Sequence, residues 1–471
     1  MNLHSLLQSF RIFAVAFLFC GLAGCTLAPQ YVRPDAPIPN TYGSRDKGKE
    51  EDLAAWKVFF QDKTMQRLIR IALENNRDLR VALLNVERAR AQYRIQRADL
   101  LPTINATAGS SSELLPADFS RSRDADVEHQ YTAGLGFSSY ELDLFGRIRS
   151  LSEQALESFY SLEEESKAAQ ITLIAETAAM YLHLVADRES HDLAVATAEN
   201  RQQELDLIIT RFRRGLASDL EVSQAETLLH EAKVKVASSA TKIEQDSNAL
   251  ALLMGTPLPS DIPEIRKLAD ISPLPDVPAG LPSSLLERRP DILAAEHTLK
   301  GVNANIGAAR ANFFPRISVT GSFGKMSSEF DSLWDTASNT WSFLPKISLP
   351  IFDMGRNLAQ LNVSKAEREL AVARYEKSIQ TAFKEVSDAL AQRRHIGAQL
   401  SSQESMVASS ARSYNYAATR YKTGISHLVD VLDAQRSLFA AQNDLISVHL
   451  LRETNALNLY KALGGGWDER N

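Results

Sequence analysis

The sequence predicts a mainly α-helical protein with a smaller β component, built as a duplicated helix–hairpin–long-helix–helix unit. Three observations predict it. The 471-residue chain repeats itself at a spacing of 209 to 213 residues, each half holds a very long proline-free helical stretch, and each half holds segments whose apolar residues alternate with period two.

The N-terminus sets the compartment. Residues 1–24 carry a weakly basic start, His4 and Arg11, then an apolar run from Ile12 to Leu22 with no acidic residue. A permanent membrane helix takes about 20 apolar residues, so this run fits the core of a secretory signal peptide. It ends in Leu22-Ala23-Gly24-Cys25, which resembles the lipobox of bacterial lipoproteins, with Cys25 the lipid-attachment site. Thr26 follows, where Asp would resemble an inner-membrane retention signal, so an outer-membrane address is expected. Cys20 leaves with the leader and Cys25 alone remains, so no intramolecular disulfide is expected. The net charge of −6 becomes −7 without Arg11, and no basic block stands out, which argues against a nucleic-acid partner. No run of about 20 apolar residues follows Cys25, so any membrane crossing is expected to use strands closed into a barrel.

Two blocks carry the duplication. Arg211–Gly255 aligns without a gap on Arg420–Gly464, with Gly215/Gly424, Val222/Val431, Ala225/Ala434 and Leu229/Leu438 coinciding. Asp78–Ile104 aligns on Asp291–Ile317, with Ala91/Ala304, Arg97/Arg310 and Pro102/Pro315 matching. The change of offset falls between Ile104 and Gly146, where a surface loop is expected to absorb four residues. The domains read as a leader at 1–24, a lipidated extended segment at 25–61, repeats at 62–255 and 283–464, a Pro-rich linker at 256–282 and a tail at 465–471.

Each half opens with a helix, at about 64–100 and 284–313, that stops at Pro102 or Pro315 because proline cannot continue the hydrogen-bond ladder. Strand-like alternation follows. After Gly146 and Gly355 a helical pattern lasts ~65 residues, roughly 100 Å. Its apolar residues recur at three and four, as in Ile171, Ile174, Ala178, Leu182 and Val185. Gly215 and Gly424 mark turns where the chain reverses.

Tyr131, Ala133, Leu135 and Phe137 alternate with Thr132, Gly134, Gly136 and Ser138; Trp341, Phe343, Ile347 and Leu349 stand opposite Ser342, Lys346 and Ser348. Such strands suit a lipid-facing, water-lined barrel or an ordinary half-buried sheet. Four strands cannot close a barrel, since bacterial barrels have at least about eight, and open edges cannot sit in lipid. Closure by two copies or by three is physically allowed.

The duplicated pattern, the lipobox, the terminal LYKALGGGW and above all RYKTGISHLVDVLDAQRSLFAAQ at 420–442 make the chain similar to the outer-membrane factor (TolC-like) family, in its OprM/NodT-type lipoprotein branch. The resemblance implies a homotrimer with a 12-stranded transmembrane β-barrel on a periplasmic α-helical barrel, plus a mixed equatorial region. It implies the exit duct of a tripartite efflux pump for drugs or toxic compounds, partnered by a periplasmic membrane-fusion adaptor, an inner-membrane pump of the RND type and outer-membrane lipid. Gly215 and Gly424 would be tips for adaptor docking.

Asp430 and Asp433, three apart on one helix face, would form two carboxylate rings around a threefold axis, which favour cations and constrict. Arg436 stands three residues on and is placed to pair with Asp433. Arg420, Tyr421 and Arg436 match latch positions of the family. Glu221, the repeat equivalent of Asp430, is placed to reach Tyr421. The local alternative is that the two aspartates complement a helix start and Ser218-Asp219-Leu220-Glu221 is a capping box. Ser426 stands where a family latch arginine is found, so no salt bridge is expected from it.

No nucleophile, metal or phosphate motif appears, so neither an enzyme nor a metal site is expected, and no cofactor beyond the lipid on Cys25. Two competing readings are a type I protein-secretion duct and a non-pore periplasmic coiled-coil adaptor lipoprotein.

Overall fold

The computed structural model describes residues 26–42, 55–118, 125–261, 263, 265, 267–275 and 282–465. The leader, Cys25 and the tail beyond 465 lie outside the described residues. In chain order come α1 (Lys63–Asn75), α2 (Arg77–Ala98), β1 (Asn105–Leu115), β2 (Asp126–Leu142), α3 (Arg147–Arg213), α4 (Asp219–Met254), α5 (Pro290–Ala311), β3 (Arg316–Ser327), β4 (Asn339–Ser348), α6 (Arg356–Lys422) and α7 (Leu428–Ala462). Both long helices, α3 and α6, have 67 residues.

The opening helix of each half is divided rather than continuous, at repeat-equivalent residues. Asn76 leaves helical geometry to cap α2: its Oδ1 accepts from the Leu79 N–H at 2.8 Å, and its Nδ2 donates to the Leu253 carbonyl at 2.8 Å. Arg289 is extended before Pro290, as the residue preceding proline prefers. Its Nη1 donates to the Ala462 carbonyl at 2.8 Å, and Ala462 is the counterpart of Leu253. The glycines that end α4 and follow α7 repeat the theme. Gly255 and Gly464 have φ of +67° and +99°, and a Cβ would press on backbone at Asn75 and Arg288 respectively, again counterparts.

The chain forms two compact units. Among the described residues the first comprises 26–35, Asn85–Leu162 and Ala294–Tyr375 and holds the sheet. Its order is β1-β2-β3-β4, antiparallel throughout. The register puts Ala106, Ala108, Leu114, Val127, Tyr131, Ala133, Leu135, Phe137, Tyr140, Leu142, Ile317, Val319, Phe323, Trp341, Phe343 and Ile347 on one face; Ser110, Ser112, His129 and Lys325 join them toward the loop end. Thr107, Gly109, Thr132, Gly134, Gly136, Ser318, Thr320, Ser322, Gly324 and Ser342 line the other, together with Glu141, Lys346 and two apolar residues, Met326 and Leu344. The expected alternation is thus the observed one, with an added device. β2 is irregular between Phe137 and Tyr140, where Ser139 has φ +54°, and this bulge returns Tyr140 to the apolar face. Pro345 is accommodated because β4 is an edge strand.

The extra residues of the first half are not absorbed by a loop. The connections at 116–125 and 328–338 differ by one residue, whereas β2 spans Asp126–Leu142 against Asn339–Ser348 for β4. The length is taken up in a longer, bulged strand, since a bulge admits an extra residue while keeping the pairing.

The second unit comprises the described residues within 36–84, 163–293 and 376–465. Here α3 and α4 form one helical hairpin and α6 and α7 another. One stretch of α3 is long and apolar enough to cross a membrane, contrary to the expectation from the sequence. Ile171, Ile174, Ala178, Leu182 and Val185 are nevertheless all buried within the chain, so the stretch is core.

Candidate functional site

The tips of the two hairpins carry the site. Gly215 and Gly424 both have φ +75° and stand in open space. At each tip two bonds close the helix: Leu216 N–H to Arg211 carbonyl with Gly215 N–H to Phe212 carbonyl, and Ile425 N–H to Arg420 carbonyl with Gly424 N–H to Tyr421 carbonyl. This is a Schellman closure, which requires a left-handed residue and so places glycine there.

Behind the turns an apolar cluster joins the hairpins: Leu205 and Ile208 of α3, Ala225, Leu228 and Leu229 of α4, Tyr421 of α6, and Leu428, Val431 and Leu432 of α7. Because Leu428, Val431 and Leu432 face this cluster, the helical period turns Asp430, Asp433 and Arg436 outward, and all three are exposed. Arg436 pairs with Asp433 at 3.1 Å, and Asp430 accepts the His427 N–H at 3.2 Å. Glu221 does two things. It closes the capping box, accepting the Ser218 N–H at 2.7 Å while Ser218 Oγ accepts the Glu221 N–H at 3.3 Å, and it accepts the Tyr421 hydroxyl at 3.5 Å. Burial, the largest cause, and the nearby Glu221 push the Tyr421 hydroxyl above its ordinary pKa, so it stays a donor.

Arg420 is exposed, and the arginine brought to Tyr421 is Arg211, whose guanidinium lies 4.8 Å from the ring centre. The repeat itself held the signal, since Arg211 is the counterpart of Arg420. Sequence reasoning also missed a buried polar knot beside the cluster. Arg201 is 5% exposed and donates to the Leu228 carbonyl, Glu204 is pushed up by burial despite Arg201 and Lys422, and Gln435 is buried. Ser426 has a buried hydroxyl with no partner among the described residues.

A duplicated chain that holds a sheet with one greasy and one wettable face, and long helical hairpins whose tips present acids, has the parts of a duct-forming subunit. The family model described as outer membrane efflux protein matches it twice, at residues 68–256 and 281–465. The chain is 46% identical over 456 residues, covering 95% of it and 94% of the relative, to the probable efflux pump outer membrane protein TtgC of Pseudomonas putida. It superposes with TM-score 0.89 on the crystal structure of a membrane protein from Pseudomonas aeruginosa, at 42% identity over 95% of this chain and 99% of that one. It superposes with TM-score 0.84 on the open state of the MtrE outer membrane channel of Neisseria gonorrhoeae, at 40% identity over 94% and 98%.

The chain belongs to the outer membrane efflux protein family. It is the outer-membrane channel of a tripartite efflux pump, it reaches into the periplasm, and it works with adaptor and inner-membrane pump partners. Members of this family are channels rather than enzymes.

Proposed function

We propose that three copies close into a 12-stranded barrel continued by an α-helical barrel, anchored by acylation of Cys25, through which drugs or other toxic small molecules leave passively from an RND-type pump. The tip of the α6/α7 hairpin is the gate. The observation that carries this reading is the sheet: β1 and β4 each have one strand partner among the described residues, and the apolar face is bare, with Phe323 68% and Trp341 74% exposed. Open edges are excluded from lipid, so copies must supply each other's missing strand. The homologous efflux channels favour this duct over a protein-secretion duct or a non-pore scaffold.

At the gate, Asp430 and Asp433 face away from the cluster and stand about 4.5 Å apart along α7, at about 1.5 Å per residue. Three copies stack them as two rings that hold cations and narrow the passage, with Arg436 offsetting part of each Asp433 charge. Adaptor contact at the Gly215 and Gly424 tips would shift the hairpins and part the Tyr421–Glu221 bond. Planar-bilayer conductance tests the gate. Asp430→Ala with Asp433→Ala is expected to raise single-channel conductance several-fold, while Gln224→Ala, at the counterpart of Asp433, leaves it unchanged. Equal conductance in all three would return the aspartates to a helix-start role.

A further inference from the structure

The N-terminal segment of the first unit lies along α5 in a manner the channel function leaves unused. Arg310 Nη1 donates to the Leu27 carbonyl at 2.9 Å, and Asn303 Nδ2 donates to the Pro29 carbonyl at 2.8 Å. Between them Gly307 is a notch: a Cβ there would come within 2.8 Å of Ala28 and 2.6 Å of Ser150 Oγ. Further along, Glu296, only 3% exposed, accepts the Tyr31 hydroxyl at 3.1 Å and Arg33 at 3.1 Å and 2.5 Å, with Lys300 at 3.2 Å. Residues 310, 307, 303, 300 and 296 fall at steps of three and four and form one stripe of α5.

The lengths agree. Six extended residues from Leu27 to Arg33 span about 20 Å at about 3.4 Å each. Fourteen helical residues from Arg310 to Glu296 span about 21 Å at about 1.5 Å each. The segment is therefore held straight and antiparallel to the helix, without slack. Its upper end, Thr26, reaches Ser150 near the start of α3, beside the point where α5 gives way to β3 at Arg316. Among the described residues the other half has no such seat. The counterparts of Gly307, Asn303 and Glu296 in α2 are Arg94, Arg90 and Leu83.

We propose that residues 26–33 are a ruler, which fixes the lipid-bearing Cys25 at the level where helix becomes strand, so that acyl chain and apolar sheet face enter the same leaflet together. The Arg33–Glu296 clamp is its zero mark, a positioning device for the membrane surface. This rests on the acylation of Cys25 proposed above. A buried carboxylate is tolerated only when paired, so the clamp is unstable unless the ruler is seated.

Deleting Thr26 and Leu27 from the full chain draws the anchor about 7 Å toward the clamp, and is expected to reduce heat-modifiable trimer in outer-membrane fractions roughly fivefold. Adding Arg33→Ala with Glu296→Gln opens the clamp without stranding a bare carboxylate; the segment slides, and trimer returns to at least about half the parental yield. A merely structural role moves the combined variant the other way, below the deletion alone. That outcome, or a deletion with no effect, overturns the ruler. Mass spectrometry of the N-terminal peptide separates the two proposals. An unmodified Cys25 removes the anchor and the ruler with it, whereas an acylated Cys25 without rescue overturns the ruler alone.

Discussion

Position for position, α2 and α5 hold the same place in their repeats, yet Val81 and Ile95 of α2 are 57% and 70% exposed where their counterparts Ala294 and Ala308 are 4% and 5% exposed. Small residues let α5 be packed tightly under the rest of its own chain and accept the N-terminal segment. Large apolar residues are left uncovered on α2, Leu83 and Leu84 included. A duplicated chain can cover only one of two equivalent helices with itself. The uncovered one carries the kind of surface that a neighbouring copy removes from water.

The largest effect that breaks or sharpens this comparison comes from the same substitution at both positions. Ala308→Asp buries a carboxylate and is expected to cost about 3–5 kcal/mol and abolish the folded chain. Ile95→Asp is expected to leave the monomer fold within ~0.5 kcal/mol and to eliminate trimer on gels. Identical unfolding in denaturant titrations of the two would dismiss the contrast.

A smaller effect separates the two tips. Arg211→Met should weaken the tip by about 0.5–1 kcal/mol, the value of a partly exposed cation over an aromatic ring, while Arg420→Met should change thermal stability negligibly. Equal effects would mean that Tyr421 does not distinguish them.

The smallest concerns acid. Burial alone would raise the Glu296 carboxyl, but Arg33 and Lys300 hold it below the ordinary carboxylate value. A depressed folded pKa means that its contribution is present above the unfolded value and disappears as pH falls through the folded one. The segment along α5 should therefore loosen only below the ordinary carboxylate range. A label at Gln30→Cys, in a chain with Cys25 acylated, reports this as a fall in fluorescence anisotropy. Loosening already near neutral pH would contradict the clamp, and Leu83 gives α2 no corresponding titration.

Much of this was legible in one dimension because the chain is written twice. The repeat located both tip glycines, and the period-two segments gave the sheet faces and their opposite chemistry. Legibility failed where a single residue interrupts a pattern that otherwise runs on. Asn76 breaks its helix inside an unbroken apolar rhythm, and what holds the break is the Leu253 carbonyl of a helix far along the chain, whereas its counterpart Arg289 stands before Pro290, a break that the sequence does show. The β2 bulge hides similarly, since Ser138-Ser139 looks like ordinary strand polarity. Arg211 was passed over for Arg420 because both repeats offer an arginine, and only packing decides which one lies over Tyr421. Arg33 and Glu296 are 263 residues apart, and neither belongs to a motif.

The middle levels of the polar sheet face hold Thr107, Thr132, Gly134, Gly136, Thr320, Ser322, Gly324 and Ser342, with Leu344 the one large apolar side chain among them. Past the level of Glu141 and Lys346, a solute brushing this wall meets hydroxyl groups, bare peptide and the Leu344 side chain, with no fixed charge to grip it and no bulky ring to delay it. Transit there would be governed by diffusion alone, so whatever chooses among molecules must act before they arrive.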